Sequence, residues 1–202
     1  MIEFKDVHFG FSNLPIFQNL NVCIPPGGLV WIQGENGGGK TTFLRLILDF
    51  LRPQSGKISI TKGTRFGWGP AVDNSFFPRI NGEENLKFFL SLANQVNAFA
   101  GRLDFYFQKD ELVDRILKTR FYQMSSGMKQ ILILMRAIMA NPDFILLDEP
   151  MRGLDQQHQI LFLNLISQLT EAKKTVIITS HLPLMIEMSQ IRVLKINDLK
   201  IH

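Results

Sequence analysis

The sequence contains little of what marks a secreted or membrane-embedded protein. It has one cysteine, Cys23, among 202 residues, which excludes an internal disulfide framework and is typical of a reducing compartment. Its longest apolar stretch, residues 131–140, is interrupted by Arg136 and is much shorter than the ~20 residues that cross a bilayer. The first residues lack the basic and then apolar pattern of a signal peptide. We therefore expect a cytoplasmic protein that reaches a membrane only through a partner.

The charges also lack a basic cluster. The chain has 22 Lys and Arg residues against 18 Asp and Glu residues, a net charge of +4, and the two signs are interspersed. Nucleic-acid-binding proteins usually carry a clustered basic patch, so we expect no nucleic-acid partner. Hydrophobic residues make up 46% of the chain and charged residues 20%, which is ordinary for a globular protein with a substantial core.

Short apolar runs alternate with longer helical patterns along the chain. Buried strands are predicted at residues 29–33, 144–147 and 175–179, an outer strand at 57–61, and helices at 41–51 and 157–169. Strands and helices that alternate at this spacing predict an α/β fold with a mostly parallel sheet. Residues 76–140 have no strong strand run and are rich in phenylalanine. We interpret them as a mostly helical subdomain inserted into a core of residues 1–75 and 141–202.

A glycine-rich segment lies between the first buried strand and the helix that follows it. Its letters, GENGGGKTT at residues 34–42, fit the pattern G-x-x-x-x-G-K-[ST]. Glycines let consecutive N–H groups turn inward around anionic oxygens, and the start of the helix adds its positive dipole end. The alternative is a flexible turn. The motif predicts a phosphate-binding loop, in which Lys40 reaches the β- and γ-phosphates and Thr41 binds Mg²⁺. The predicted binding residues are Gly34, Asn36, Gly37, Gly38, Gly39, Lys40, Thr41 and Thr42.

Two carboxylates follow the second buried strand. Asp148 and Glu149 stand at its carboxyl end, where ligands of open α/β sheets bind. Asp148 is predicted to hold Mg²⁺ through its water shell, and Glu149 to polarise a water that attacks the γ-phosphate. By itself the pair could be a solvated acidic turn, but its combination with the phosphate loop favours the catalytic interpretation.

A third segment, YQMSSGMKQ at residues 122–130, resembles the L-S-G-G-Q signature of ABC-type ATPases, the ATP-binding subunits of ATP-binding-cassette transporters. The resemblance covers nearly the whole chain. It implies a P-loop (RecA-like) core with a mostly parallel sheet, an N-terminal antiparallel β part and an inserted helical subdomain. It also implies that Ser125 and Gly127 contact the γ-phosphate of ATP held by a second subunit. Ser125 is equally suited to cap a helix, which is compatible with that role.

The same resemblance assigns roles to residues outside these three motifs. His181 occupies the position of the switch histidine, and with Lys40 and Glu149 it completes the implied catalytic set. Phe11 stands where the family has an aromatic residue that stacks on adenine; an ordinary strand aromatic is the alternative. The segment at residues 153–155 is similar to the D-loop, which crosses the dimer interface. ATP and Mg²⁺ are the implied substrate and cofactor.

The chain departs from the family pattern in three places. Ala71 takes the position of the Q-loop glutamine, and Asp73 or Asn74 is a hypothetical substitute for it. In the signature, Ser126 replaces the first glycine and Met128 replaces the glutamine. In the D-loop, Arg152 replaces a small residue. Three interpretations of Arg152 stay open: it alters the dimer interface, pairs with phosphate, or pairs with an acid across the interface.

The resemblance implies an ATPase subunit that dimerises, as a homodimer or heterodimer, around two ATP molecules and powers a separate integral membrane permease. Such a subunit lies on the cytoplasmic face of the membrane, with its permease groove between the helical subdomain and the region after Ala71. The alternatives are a soluble ABC-type ATPase that acts on nucleic acid or the ribosome, a low-turnover ATP-dependent interaction module, and a small-molecule kinase. Within transporters, the short chain and the run HLPL at residues 181–184 faintly resemble the ATPase of haem exporters.

Overall fold

The computed structural model describes residues 1–12, 14–108, 110–181 and 191–196. They form eight strands and six α-helices, with two short 3-10 turns at Val96–Ala98 and Phe121–Gln123. The order is β1 (Ile2–Phe11), β2 (Leu14–Ile24), β3 (Gly28–Gln33), α1 (Lys40–Ile47), β4 (Ser55–Ile60), β5 (Phe66–Gly69), α2 (Gly82–Leu92), α3 (Phe99–Phe107), α4 (Glu111–Lys118), α5 (Ser126–Met139), β6 (Phe144–Asp148), α6 (Gln156–Glu171), β7 (Thr175–Ser180) and β8 (Ile191–Lys195).

The central sheet has five strands in the order β5-β6-β7-β3-β8, and every neighbouring pair is parallel. The predicted parallel sheet is therefore confirmed. The register aligns Asp148 of β6 with Thr179 of β7, and Gln33 of β3 with Ser180 of β7. The carboxyl ends of β3, β6 and β7 consequently meet at one edge of the sheet, which is where the candidate site lies.

A second sheet contains the N-terminal strands. It has three antiparallel strands in the order β2-β1-β4, so the expected antiparallel β part is present and β4 is an outer strand, as predicted.

Helix α1 is shorter than predicted, because it ends at Ile47 rather than at residue 51. Asp49 has φ 56°, in the left-handed region, and this conformation turns the chain out of the helix.

Two cores cover the two faces of the central sheet. Successive residues of a strand point to opposite faces. Ile145 and Leu147 accordingly pack in a core with α5 and α6, whereas Phe144 and Leu146 pack in a core with α1 and the antiparallel sheet. Strands β6 and β7 are buried on both sides, as their continuous apolar sequences indicate. The predicted α/β fold class is confirmed.

The segment between β5 and β6 contains α2 to α5, in keeping with the expected helical insertion. Its limits at residues 76 and 140 stay a prediction. Helix α5 approaches β5 closely: a Cβ on Gly67 would lie 1.9 Å from the carbonyl oxygen of Ala137. Some phenylalanines of this segment, such as Phe76, are buried, whereas Phe77 and Phe88 are exposed. Across the described ranges, no helix combines the length and the apolar character that a membrane span requires.

Candidate functional site

The predicted phosphate loop joins β3 to α1 through a backbone conformation that requires glycine. Gly39 precedes the first residue of α1 and has φ 100°, in the left-handed region. A Cβ at this position would also lie 2.8 Å from Cγ2 of Ile16. Gly39 has no side chain with which to cap α1, so the first N–H groups of the helix are available to another acceptor. The loop therefore presents the positive end of α1 to the cavity beside it.

Lys40, the first residue of α1, folds its side chain back over this loop. Its Nζ atom donates hydrogen bonds to the carbonyl oxygens of Gly34, at 2.8 Å, and of Glu35, at 3.0 Å. The same atom lies 3.2 Å from Oε1 of Glu149, and only 6% of the side chain is exposed. These contacts hold an ammonium group at the carboxyl edge of the sheet.

The carboxylate of Asp148, at the end of β6, is held by two hydroxyl groups. Thr41 donates to Oδ2 at 2.7 Å, and Thr179 donates to Oδ1 at 2.6 Å. Asp148 is buried. Thr179 was not among the predicted site residues. The sequence places it at the end of a buried strand, but only the pairing of β6 with β7 brings it beside Asp148.

Glu149 follows β6 with φ 46°, a conformation that is uncommon for a residue other than glycine. Its N–H lies 3.0 Å from the hydroxyl oxygen of Thr179 and 3.2 Å from the Thr179 carbonyl oxygen. Its carboxylate joins two of the predicted catalytic residues, because Oε1 faces Lys40 and Oε2 lies 2.9 Å from Nδ1 of His181. The strained turn thus places the second carboxylate between a cation and an imidazole.

A cavity of about 440 Å³ opens beside these groups. Most of the predicted binding residues line it: Phe11, Asn36, Gly37, Gly38, Gly39, Lys40, Thr41, Thr42, Asp148 and Glu149, together with Ile16, Ala71 and Arg152. Phe11 is exposed, and its ring is nearly perpendicular to that of Phe9, at 5.0 Å between ring centroids. Gly34 and His181 are not in this lining, but each contacts a residue that is: Gly34 contacts Lys40, and His181 contacts Glu149.

Ser125 and Gly127 lie elsewhere, at the start of α5. Ser125 is the N-cap of this helix and accepts a hydrogen bond from the N–H of Met128 at 3.2 Å. Neither residue lines the cavity beside the phosphate loop. An isolated chain therefore does not combine the signature segment with its own phosphate loop. This separation is compatible with, but does not test, the expectation that the segment serves a second subunit.

Gly127 packs against a histidine that sequence analysis did not single out. A Cβ on Gly127 would lie 3.1 Å from Nδ1 of His158, whose side chain is buried. The same Nδ1 lies 2.6 Å from Oδ1 of Asp155. The His158 backbone N–H, and then its side chain, lower the pKa of Asp155. His158 thus connects the signature segment to the D-loop within one chain, a contact that no local spacing in the sequence indicates.

Asp73, in the loop after β5, has a partner that does not line the cavity. Asp73 forms an ion pair with Arg136 of α5, which also donates to Oγ of Ser75 at 2.7 Å and to the carbonyl oxygen of Trp68 at 3.0 Å. Burial lowers the pKa of Arg136, and the charge of Asp73 partly opposes that effect. Ala71, and not Asp73, lines the cavity. These contacts favour a structural role for Asp73 over the hypothesis that it replaces the glutamine.

We expect Asp73→Ala to lower the free energy of unfolding by about 3 kcal/mol, because it leaves the Arg136 charge unpaired in a site where only 15% of that side chain is exposed. Chemical denaturation measures this loss. Asp114→Ala, which removes the exposed partner of Lys118 on α4, is the matched control and should change stability little. At temperatures where the variant is folded, the Mg²⁺ dependence of nucleotide binding should stay unchanged. A changed Mg²⁺ dependence would instead support the substitute hypothesis.

The groups around the cavity fit a magnesium nucleotide. The uncapped N–H groups of α1 and the ammonium of Lys40 are donors suited to phosphate oxygens. The Thr41 hydroxyl and the Asp148 carboxylate supply oxygen ligands 2.7 Å apart, the type of ligand that Mg²⁺ prefers. A phosphate loop after a parallel strand, with carboxylates at the end of a neighbouring strand, defines a P-loop nucleotide-binding protein.

Comparison with known proteins identifies the family. The family model described as "ABC transporter" matches residues 17–152. The chain therefore belongs to the ABC transporter family, and the predicted class, the ATP-binding subunit of such a transporter with ATPase activity, is confirmed. The comparisons support this interpretation over a ribosome-bound ATPase, an interaction module or a kinase.

Its curated relatives include subunits of importers. A zinc import ATP-binding protein, ZnuC, of Buchnera aphidicola is 29% identical over 184 residues, 89% of this chain and 74% of the relative. The ABC transporter ATP-binding protein NatA of Bacillus subtilis is 31% identical over 183 residues, 82% of this chain and 71% of the relative. ZnuC of Pasteurella multocida is 30% identical, and this chain covers 62% of its length.

Solved structures share the fold. A metal-chelate type ABC transporter in an inward-facing conformation matches with a TM-score of 0.75 and 27% identity, over 89% of this chain and 72% of that one. A dimeric ABC transporter cassette matches with a TM-score of 0.78 and 24% identity, over 97% and 95% of the two chains. The second likeness shows the fold alone.

Proposed function

We propose that this chain binds Mg²⁺–ATP at the cavity beside the phosphate loop, hydrolyses it within a dimer, and drives transport by a separate integral membrane permease. The observation that carries the proposal is the convergence of Lys40, Asp148 and Glu149 on one cavity at the carboxyl edge of the parallel sheet. P-loop ATPases place a cation, a metal-binding carboxylate and a base in this relation to the γ-phosphate.

The binding roles follow from the donors and acceptors at the site. Lys40 and the N–H groups of residues 34–42 bind the phosphates, and Phe11, which lines the same cavity, stacks on the adenine. Thr41 and Asp148 are the residues that would hold Mg²⁺. When bound, Mg²⁺ neutralises charge on the β- and γ-phosphate oxygens.

The hydrolytic roles follow from the partners of Glu149. Its carboxylate accepts a proton from the water that attacks the γ-phosphorus, while the bond to the bridging oxygen of ADP breaks and phosphate leaves. His181, 2.9 Å from this carboxylate, orients it and contacts the γ-phosphate. Lys40 stabilises the charge that develops on the phosphoryl oxygens. The products are ADP and inorganic phosphate.

The separation of the signature segment from the cavity supports a dimer. Ser125 and Gly127 begin α5, where a hydroxyl and a helix N-terminus together suit an anion. We assign them to the γ-phosphate of ATP bound by the other subunit. The dimeric cassette that shares this fold supports that arrangement. The partner is a second copy or a related chain.

The helical segment carries a surface suited to the permease. Phe77 and Phe88 are exposed and contact each other edge to face, at 4.8 Å between ring centroids. Pro78 and Arg79 directly follow Phe77 in the chain. They line an open cavity of about 580 Å³ together with Arg120 and Tyr122. Exposed apolar surface rimmed by polar groups is typical of a protein interface. We assign the permease contact to this surface and propose that the subunit lies on the cytoplasmic face of the membrane.

The cassette is proposed to divide into a core of residues 1–75 and 141–202 and a helical subdomain of residues 76–140. The core carries the phosphate loop and the helical subdomain carries the permease surface.

A part of the haem-exporter resemblance, residues 182–184, lies outside the described residues. The relatives include proteins named for import and for export, so the direction of transport is not assigned.

Three measurements test the proposal, two on the purified chain and one on solubilised membranes. Calorimetry with ATP at millimolar Mg²⁺ should detect binding, and phosphate release should show turnover that needs Mg²⁺. Affinity purification from solubilised membranes should recover an integral membrane protein, and Phe77→Ser should reduce that recovery without changing ATP affinity. Absence of binding heat in folded protein would refute the proposed site, whereas binding without a membrane partner would refute only the proposed coupling.

A further inference from the structure

Arg152 lies in the turn that follows the catalytic strand. Its N–H donates to the carbonyl oxygen of Glu149 at 3.1 Å, which closes the turn between β6 and α6. Its side chain is exposed and lines the same cavity as the phosphate loop and the two carboxylates. The turn therefore directs an arginine toward the nucleotide cavity of its own chain.

The charge of Arg152 affects how well the cavity suits an anionic ligand. Besides Arg152, its lining contains two carboxylates, Asp148 and Glu149, and one cation, Lys40. The Lys40 ammonium is already bound to two carbonyl oxygens and faces Glu149. Without Arg152 the lining would carry a net negative charge, which opposes a triphosphate. Arg152 brings the formal charges into balance.

The guanidinium group is available for such a ligand. Within the described part of the chain, no hydrogen bond, ion pair or ring contact engages the Arg152 side chain. A guanidinium presents a planar fork of donors that matches two oxygens of one phosphate, and an ammonium does not. Arg152 lies one turn from Glu149, the proposed base at the γ-phosphate, and lines the same cavity, so the terminal phosphate is the group that we expect within its range.

We propose that Arg152 binds the γ-phosphate of the ATP held by its own chain. The inference rests on the proposed ATP site and adds a residue to it. Of the three interpretations open to sequence analysis, the cavity lining favours pairing with phosphate. The family pattern usually has a small residue at this position, so the proposed role rests on the cavity of this chain and not on the resemblance.

Nucleotide affinities of the full chain test the assignment. The probes are ADP and an ATP analogue whose γ-phosphate is joined through nitrogen and resists hydrolysis, titrated by calorimetry at concentrations where light scattering shows a monomer. Arg152→Ala should bind the analogue about tenfold more weakly and bind ADP with nearly unchanged affinity. Arg152→Lys keeps the charge but lacks the planar fork of donors. Its affinity for the analogue should lie between those of Arg152→Ala and the unchanged chain. Arg115→Ala, which removes an exposed arginine of α4, is the matched control and should behave as the unchanged chain.

Each other outcome contradicts the assignment. Equal affinities of Arg152→Ala and the unchanged chain for the analogue would overturn it, and so would equal losses for ADP and the analogue. Unchanged monomer affinity with loss of nucleotide-dependent dimerisation would place Arg152 across the interface instead. Failure of the unchanged, folded chain to bind either nucleotide would refute the proposed ATP site itself. Because Arg152 is exposed, its variants should keep the thermal unfolding midpoint of the unchanged chain.

Discussion

Replacement of Glu149 by glutamine should preserve ATP binding and lower steady-state turnover by about 10²–10⁴-fold, the contribution of a positioned general base. The amide has nearly the shape of the carboxylate but cannot take the proton of the attacking water. Lys40 keeps its two carbonyl partners in the variant, so the binding site should persist. ATP that is bound but not hydrolysed should hold the two subunits together, and the variant should elute as a dimer.

Phosphate release, calorimetry and light scattering measure these three properties on the same preparation. Glu3→Gln is the matched control, since it makes the same chemical change at an exposed position of β1. It should leave turnover, affinity and oligomeric state unchanged. Undiminished turnover of Glu149→Gln would exclude Glu149 as the base. Loss of turnover together with loss of ATP affinity would mean that the carboxylate contributes to binding instead.

Replacement of Lys40 by alanine should lower ATP affinity by about 100-fold. Its ammonium is the buried cation of the cavity, and charge-assisted hydrogen bonds to two phosphates are worth about 3 kcal/mol in total. The change also leaves the Glu149 carboxylate without its cation, which adds repulsion of the triphosphate. The expected result is a defect at the binding step, in contrast to Glu149→Gln.

Calorimetry with ATP at fixed Mg²⁺ concentration measures the affinity. Lys40→Met, which keeps most of the side-chain volume, separates loss of charge from loss of packing and should be as defective as Lys40→Ala. Lys57→Ala removes an exposed ammonium from β4 and should bind ATP normally. Circular dichroism checks that each variant is folded. An affinity of folded Lys40→Met within a few-fold of the unchanged chain would contradict the proposed phosphate contact.

The parts of the site that sequence analysis predicted are those encoded by short, continuous segments. The phosphate loop needs glycines, Lys40 and Thr41 at fixed offsets, and the flanking strand and helix have their own periodicity. Asp148 and Glu149 follow an apolar run, so their place at the end of a buried strand is also a local property. The structure brings these groups together around one cavity, and β3 and β6, which precede them, each differ from the predicted strand by one residue at one end.

The parts that sequence analysis missed depend on contacts between distant segments. Thr179 supports Asp148 only because β7 is the neighbour of β6 in the sheet. Asp73 or Asn74 was a hypothetical substitute for the Q-loop glutamine because of its position in the chain, but Asp73 pairs with the buried cation Arg136 of α5. His158 follows no recognisable motif and packs on Gly127 because α5 and α6 cover the same face of the sheet.

The sequence by itself determined the α/β fold class, the phosphate loop and the pair of carboxylates at a strand end, because periodicity and short-range spacing are sufficient to specify them. Tertiary structure alone decided which side chains support those groups, which phenylalanines stay exposed, and that Arg152 lines its own chain's cavity. The physical reason is that strand order and helix packing set these distances, and neither is a property of any single stretch of the chain.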